Sequence, residues 1–383
     1  MSNLKLLMLI ILLLTFGSGF LAGILTSGKY SEEVTKPVNH IPASGKQPAV
    51  KAAPELQEQT PKVLAGYVQD FRNPAEIDVS KLTHVIFSFA HPAKNGELLM
   101  NGDFALKNLR TLVEKAAQYD TRVILAVGGW FHIQGGESYE YFKSAISNDA
   151  SRTRLVNELA SLADRENLDG IDIDFEHPRS QEDAKALTLF TKELGEKLHA
   201  NEKELSIAVH AKIHSEAGTE LGAVIYEPSM FQYVDHVNIM AYDGQWDGGY
   251  NASNLSTYSF AENIVSYWTG LFDRHGLARQ KLVLGVPLYA QPEDPSVKQL
   301  SYAAIIKADP ANASRDQMKK NGTTYHYNGY ETMKKKANLA LNNGFGGMMV
   351  WEAGHDAWGT HSLTAAISAA MENPPAKYYI LKK

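Results

Sequence analysis

Eight times along the chain a short run of β-branched and aliphatic residues is followed by a stretch with helical character, and this alternation narrows the fold more than any other feature. The runs are VLAGYV (63–68), HVIFSFA (84–90), RVILAVGG (122–129), GIDIDFE (170–176), LSIAVHA (205–211), HVNIMAYD (236–243), LVLGVPLYA (282–290) and GGMMVWE (346–352). Most are continuously apolar, the pattern of parallel strands covered by helices. Between them lie helical stretches at 104–119, 151–167 and 330–343. In a fourth, Leu187, Phe190, Leu194 and Leu198 recur at helical spacing after the cap-like pair Ser180 and Asp183. Eight strand–helix units predict an α/β chain folded as a (β/α)8 TIM barrel, a single domain over 62–375. An open doubly wound sheet would carry a Gly-rich phosphate loop after its first strand, and GYVQDF at 66–71 is not one.

The fourth run places Asp169, Asp172, Asp174 and Glu176 among Gly, Ile and Phe. On a strand, side chains alternate, so Asp172, Asp174 and Glu176 share one face and Ile171, Ile173 and Phe175 the other. The apolar face meets the helices of a barrel. The three acids then point into the lumen and climb towards its C-terminal mouth, while Asp169, on the opposite parity, serves the turn. Carboxylates about 6–7 Å apart in a medium of reduced dielectric repel one another strongly. The expected compromise is a proton shared low in the ladder and a raised pKa on at least one member. Glu176, the longest and nearest the mouth, is the expected proton donor. A purely structural acid cluster is disfavoured, because unpaired burial is costly and barrel enzymes place their chemistry at this end. A calcium loop would space its acids through Gly, Asn and Asp, and no companion His cluster is evident, so no metal and no cofactor is expected.

Composition restricts the chemistry further. Lys+Arg 37 against Asp+Glu 43 gives a net charge of -6 without a basic block, which disfavours nucleic acid and favours a neutral substrate. The chain has no cysteine, which removes disulfides, thiolate nucleophiles, Cys-held metals and a Cys-linked lipid anchor. Residues 1–28 read as a signal peptide or a membrane anchor. Their apolar run, 6–25, is long enough to cross a bilayer, while Gly17, Ser18 and Gly19 suit the region of a cleavage site. Either reading implies export, to the exterior or the periplasm. Residues 29–61, with prolines at 37, 42, 48, 54 and 61, read as a disordered tether, and 376–383 as a tail.

The motif Asp169-Gly170-x-Asp172-x-Asp174-x-Glu176 resembles the D-G-x-D-x-D-x-E hallmark of glycoside hydrolase family 18, the chitinases and their relatives. Met240-Ala241-Tyr242-Asp243 resembles the family's M-x-Y-D, LGVPLY (284–289) its seventh strand, and 327–352, ending in Trp351, its last helix and strand. The resemblance implies retaining hydrolysis of β-1,4-N-acetylglucosamine linkages, as in chitin, with the substrate's own acetamido oxygen as nucleophile. Glu176 is then the acid, Asp174 orients the acetamido group, Asp172 shares a proton behind it, and Tyr242 bonds the acetamido oxygen. Tyr67 sits near Asp172, Met240 belongs to the same strand motif, Asp243 contacts a neighbouring sugar, and Trp351 floors the cleaved one. Sugars present apolar CH faces edged with hydroxyls, which suits Tyr67, Trp130, Tyr242, Trp246 and Trp351 at one mouth. Gly128 and Gly129 match the family's S-x-G-G in part.

Departures accompany the match. Ala126 replaces the usual Ser, so the inner Asp leans on Ser88 or Tyr67, and LYAQP replaces a common Gly-Arg after strand seven. The span between Tyr289 and Gly344 leaves no room for a large α+β wall, which predicts a shallow, open groove and endo-type cleavage; a monomer is expected. Release of N-glycans or trimming of peptidoglycan by an endo-β-N-acetylglucosaminidase of this fold, and a non-catalytic chitin-binding lectin, stay open as alternatives.

Overall fold

Eight strands pair side by side around a closed ring: β1 (Val63–Gln69), β2 (His84–Pro92), β3 (Arg122–Gly128), β4 (Gly170–Asp174), β5 (Glu204–His210), β6 (His236–Met240), β7 (Leu282–Pro287) and β8 (Gly347–Trp351). Every neighbouring pair is parallel, including β8 with β1, so the sheet has no free edge. The computed structural model describes residues 62–214, 220–221, 224–244 and 249–373. The expectations for 1–61, for 376–383 and for Trp246 fall outside these residues.

Alternation sorts the side chains into two cores. Ile171, Ile173 and Phe175 point outward into the layer between strands and helices, where the Phe175 ring stacks on Phe142 with centroids 4.8 Å apart. Each such buried side chain contributes about 1.5–3 kcal/mol relative to exposure. The inner core holds Val63, Ala65, Tyr67, Ile86, Ile124, Ala126, Val283 and Met349, with Tyr242 above them. Helix α4 (Gln181–His199; the fourth in chain order after Gly102–Ala116, Tyr139–Ser147 and Asp149–Arg165) starts at a complete capping box. Ser180 accepts from the Asp183 N–H and Asp183 answers the Ser180 N–H, which satisfies donors left open at a helix start.

Several strands end earlier than the apolar runs suggest. β4 stops at Asp174 and β6 at Met240, which leaves Glu176, Tyr242 and Asp243 just beyond the ladder, at the mouth. Their backbone has left the hydrogen-bonded sheet although hydrophobicity continues. After β7, residues 289–326 carry four short antiparallel strands and the helix Tyr302–Ala308, a small α+β unit where a large one was not expected.

Candidate active site

A cavity of about 230 Å³ opens at the C-terminal ends of the strands, with Asp174 and Glu176 in its wall. Around them stand Tyr67, Trp130, Met240, Tyr242, Asp243 and Trp351, together with Ala208. Residues remote in sequence meet here because parallel strands all end on the same face of a barrel.

Asp172 lies beneath, fully buried. Tyr67 Oη donates to its Oδ2 at 2.7 Å, while Ser206 Oγ at 2.5 Å and Asn238 Nδ2 at 3.1 Å donate to Oδ1. Burial pushes its pKa up to about 6, and the three donors restrain the rise. Tyr67 thus holds this carboxyl as expected, whereas Ser88 does not: its hydroxyl is committed to the Val68 carbonyl at 3.2 Å. Ser206 and Asn238 were not foreseen. Both sit on the lumen parity of β5 and β6, so the two-residue period that placed the acids would have found them.

Asp174 is 3 % exposed, and its Oδ1 has no hydrogen-bond partner among the described residues. Burial, then the charges of Glu176 and Asp172, hold its pKa well above the usual carboxylate range. Glu176 has a side chain 15 % exposed, which leaves it reachable from the cavity. Burial, then Asp243 and Glu137, pushes its pKa up to about 7. A carboxyl still protonated near neutrality can give a proton to a bound substrate.

Two histidines accompany Glu176, contrary to the expectation that no His cluster lies nearby. His210 Nε2 stands 3.7 Å from Glu176 Oε2, and the His177 ring lies edge-on to His210 at 4.9 Å and to Trp130 at 4.5 Å. Ligand-type atoms of Glu176, His177 and His210 fall within 4.8 Å of one another, so this trio could also hold a metal ion. Burial, then His177, pulls the His210 pKa down to about 3, leaving a neutral imidazole beside the acid.

The remaining positions frame the cavity. Asp243, at φ 54, receives Tyr289 Oη at 2.6 Å and Gln291 Nε2 at 2.8 Å, so the LYAQP segment supplies two donors to it. Trp351 lies between Tyr67, with centroids 5.4 Å apart, and Phe89, stacked at 6.1 Å. Trp130 is 45 % exposed at the rim. Asp169 accepts the Val123 N–H at 2.7 Å and pins β4 to β3. A Cβ on Gly170 would lie 2.3 Å from the Glu204 carbonyl oxygen, and one on Gly128, at φ +119, 2.2 Å from that of Asp174. Gly129, at φ +79, donates its N–H to the same Asp174 carbonyl at 2.9 Å. These glycines let neighbouring strands close on the acid-bearing one.

The Tyr67 hydroxyl gives a direct test of this network. Tyr67→Phe removes one donor from a buried acid, a loss of about 1–3 kcal/mol when the acid is ionised. Because the folded-state pKa of Asp172 is raised, ionisation inside the fold sets in as pH passes about 6. The expected loss of stability is therefore larger at pH 8 than at pH 4, read by urea unfolding at both; equal losses at the two would contradict the assignment.

The sequence profile of glycosyl hydrolases family 18 matches residues 63–356. Endochitinase 1 of Metarhizium robertsii is 23% identical over 355 residues, covering 79% of this chain and 82% of that protein. A family 18 chitinase from Flavobacterium johnsoniae superposes with TM-score 0.67 at 24% identity, covering 81% of this chain and 94% of that one. A class V chitinase from Nicotiana tobaccum in complex with NAG4 gives TM-score 0.68 at 17% identity, covering 81% and 99%. At such identities the solved structures speak for the fold, and the profile, which spans more than half of the chain and includes the carboxylate ladder, speaks for the family. The chain belongs to glycosyl hydrolases family 18.

Proposed function

We propose that the chain is an exported, endo-acting hydrolase of β-1,4-linked N-acetylglucosamine polymers, chitin or its oligomers, that works with retention by substrate assistance. The observation that carries this reading is the pair formed by Glu176, with a pKa near neutrality, and Asp174, with one buried oxygen left unpartnered among the described residues, in the wall of the same cavity. Glu176 gives its proton to the glycosidic oxygen as the bond to the anomeric carbon breaks. The substrate's acetamido oxygen forms the new bond to that carbon, producing an oxazolinium ion. Asp174 accepts the acetamido N–H through its open oxygen, orienting the group and balancing the positive charge. Asp172, held by its three donors, backs Asp174 as the proton-sharing partner, and Tyr242 bonds the acetamido oxygen. Water then attacks the anomeric carbon from the face the leaving group vacated. Glu176 takes the water's proton, and the configuration is retained. Trp351, between Tyr67 and Phe89, offers an apolar floor to the sugar, while Trp130 and Asp243 meet the flanking ones.

Endo-type cleavage is supported by the small size of the α+β unit beside the mouth. Among the described residues no helix is long and apolar enough to cross a membrane. The test is a substrate panel with product sizing: chitin, chitohexaose, an N-glycosylated protein and muropeptides. Internal cleavage of chitohexaose, with β-anomers appearing first, is expected. Binding without turnover assigns a lectin, and turnover confined to glycoprotein or muropeptides assigns an endo-β-N-acetylglucosaminidase of those polymers.

A further inference from the structure

At the opposite end of the barrel, far in the chain from the acid motif, the first residues of four strands form a polar layer. His84 opens β2, Arg122 opens β3, Glu204 opens β5 and His236 opens β6. All four lie on the lumen parity of their strands. His84 Nε2 stands 3.0 Å and His236 Nε2 3.8 Å from the same oxygen, Glu204 Oε2. Arg122 pairs with the other oxygen, Oε1, and so leaves Oε2 to the two imidazoles. The two rings approach edge to face with centroids 5.4 Å apart, and both Nε2 atoms approach the same Glu204 oxygen.

We propose that His84 Nε2, His236 Nε2 and Glu204 Oε2 form a zinc site at the barrel floor, separate from the catalytic mouth. Two imidazoles and one carboxylate are a donor set that suits Zn²⁺. With bonds of about 2.0–2.1 Å, neighbouring ligand atoms of a tetrahedral zinc stand about 3.3 Å apart. The observed separations of 3.0 and 3.8 Å bracket that value, and all three ligand atoms lie within 4.8 Å of one another. Outer partners are in place too: Thr83 Oγ1 lies 2.8 Å from His84 Nδ1, and Arg122 holds the carboxylate from behind. Such contacts orient ligands and typically change metal affinity by about 10–100-fold. The side chains are 10% (His84), 19% (Glu204) and 20% (His236) exposed, so an ion can enter from solvent with water completing its shell. Bound there, it would tie β2 to β5 and β6 across the bottom of the ring, and act as a clamp on the barrel rather than as a participant in hydrolysis.

The competing location is the trio of Glu176, His177 and His210 at the mouth, and the test separates the two. The full-length protein is stripped with EDTA, dialysed and titrated with zinc chloride by calorimetry, as wild type, His84→Gln, His236→Gln and His210→Gln. The expected result is one equivalent bound by the wild type and by His210→Gln, with affinity reduced about tenfold or more in His84→Gln and in His236→Gln. Zinc should also raise the Tm of the wild type, and this rise should shrink in the two floor variants. No uptake by the wild type overturns the proposal, and needs no variant to fold. So does uptake that survives both floor substitutions, and so does uptake abolished by His210→Gln. Should a floor histidine variant unfold, Glu204→Gln replaces it in the series.

Discussion

Replacing Glu176 by Gln is expected to lower kcat on chito-oligosaccharides by about 100–10,000-fold, the range a positioned general acid supplies, with little change in KM. The amide keeps the shape of the side chain and loses the transferable proton. Stability should move the other way. The folded-state pKa of Glu176 is raised to about 7, so the folded chain binds more protons than the unfolded one between the ordinary carboxyl range and neutrality. The carboxyl therefore loses stabilising effect as pH rises through that window, and above it a buried charge is held at a cost. Glu176→Gln removes that cost, so its Tm should equal or exceed the wild type's at pH 8 and match it at pH 4. The wild-type rate should fall as pH rises through about 7, when Glu176 gives up its proton. A variant keeping a tenth of wild-type kcat, or a rate that stays flat to pH 9, would remove Glu176 from the role of acid.

The second large effect is expected at Asp174. Asp174→Asn should cost about 100–1,000-fold in kcat, the scale of losing one preorganised electrostatic contact to a charge that develops in the transition state. The substitution keeps the volume and takes away the negative charge facing the oxazolinium. Because burial and two neighbouring carboxyls already hold the Asp174 pKa well above its usual range, the neutral amide should leave stability at pH 7 unchanged or improved. A kcat loss with retained or raised Tm thus separates a chemical role from a structural one. A parallel readout uses the wild type: fully N-deacetylated oligomers lack the internal nucleophile and should resist cleavage, while their acetylated counterparts are cut. Equal rates on the two would sink substrate assistance, whatever Asp174→Asn shows.

What could be read from the chain before any folding was its periodicity. Eight apolar runs separated by helical stretches specify a closed parallel barrel, because each strand needs a neighbour on either side and helices over its outer face. The two-residue period then divides β4 into Ile171, Ile173 and Phe175 outward and Asp172 and Asp174 inward, and extends to Glu176 beyond the strand's end. The same rule, applied to LSIAVHA and HVNIMAYD, contains Ser206, His210 and Asn238, which a search for acids and aromatics passed over.

Which side chain meets which was set by closure of the ring. A strand's period says that Ser88, Tyr67 and Ser206 face inward but carries nothing about distance across the ring. The closed ring brings Tyr67 to Asp172 and leaves Ser88 on the Val68 carbonyl. It also places His210 beside Glu176 and its chain neighbour His177, and gathers His84, Glu204 and His236, far apart in the chain, on the floor. Local pattern is written in i and i+2, whereas hydrogen-bond partners and pKa shifts depend on separations through space, and those exist only once the barrel has closed.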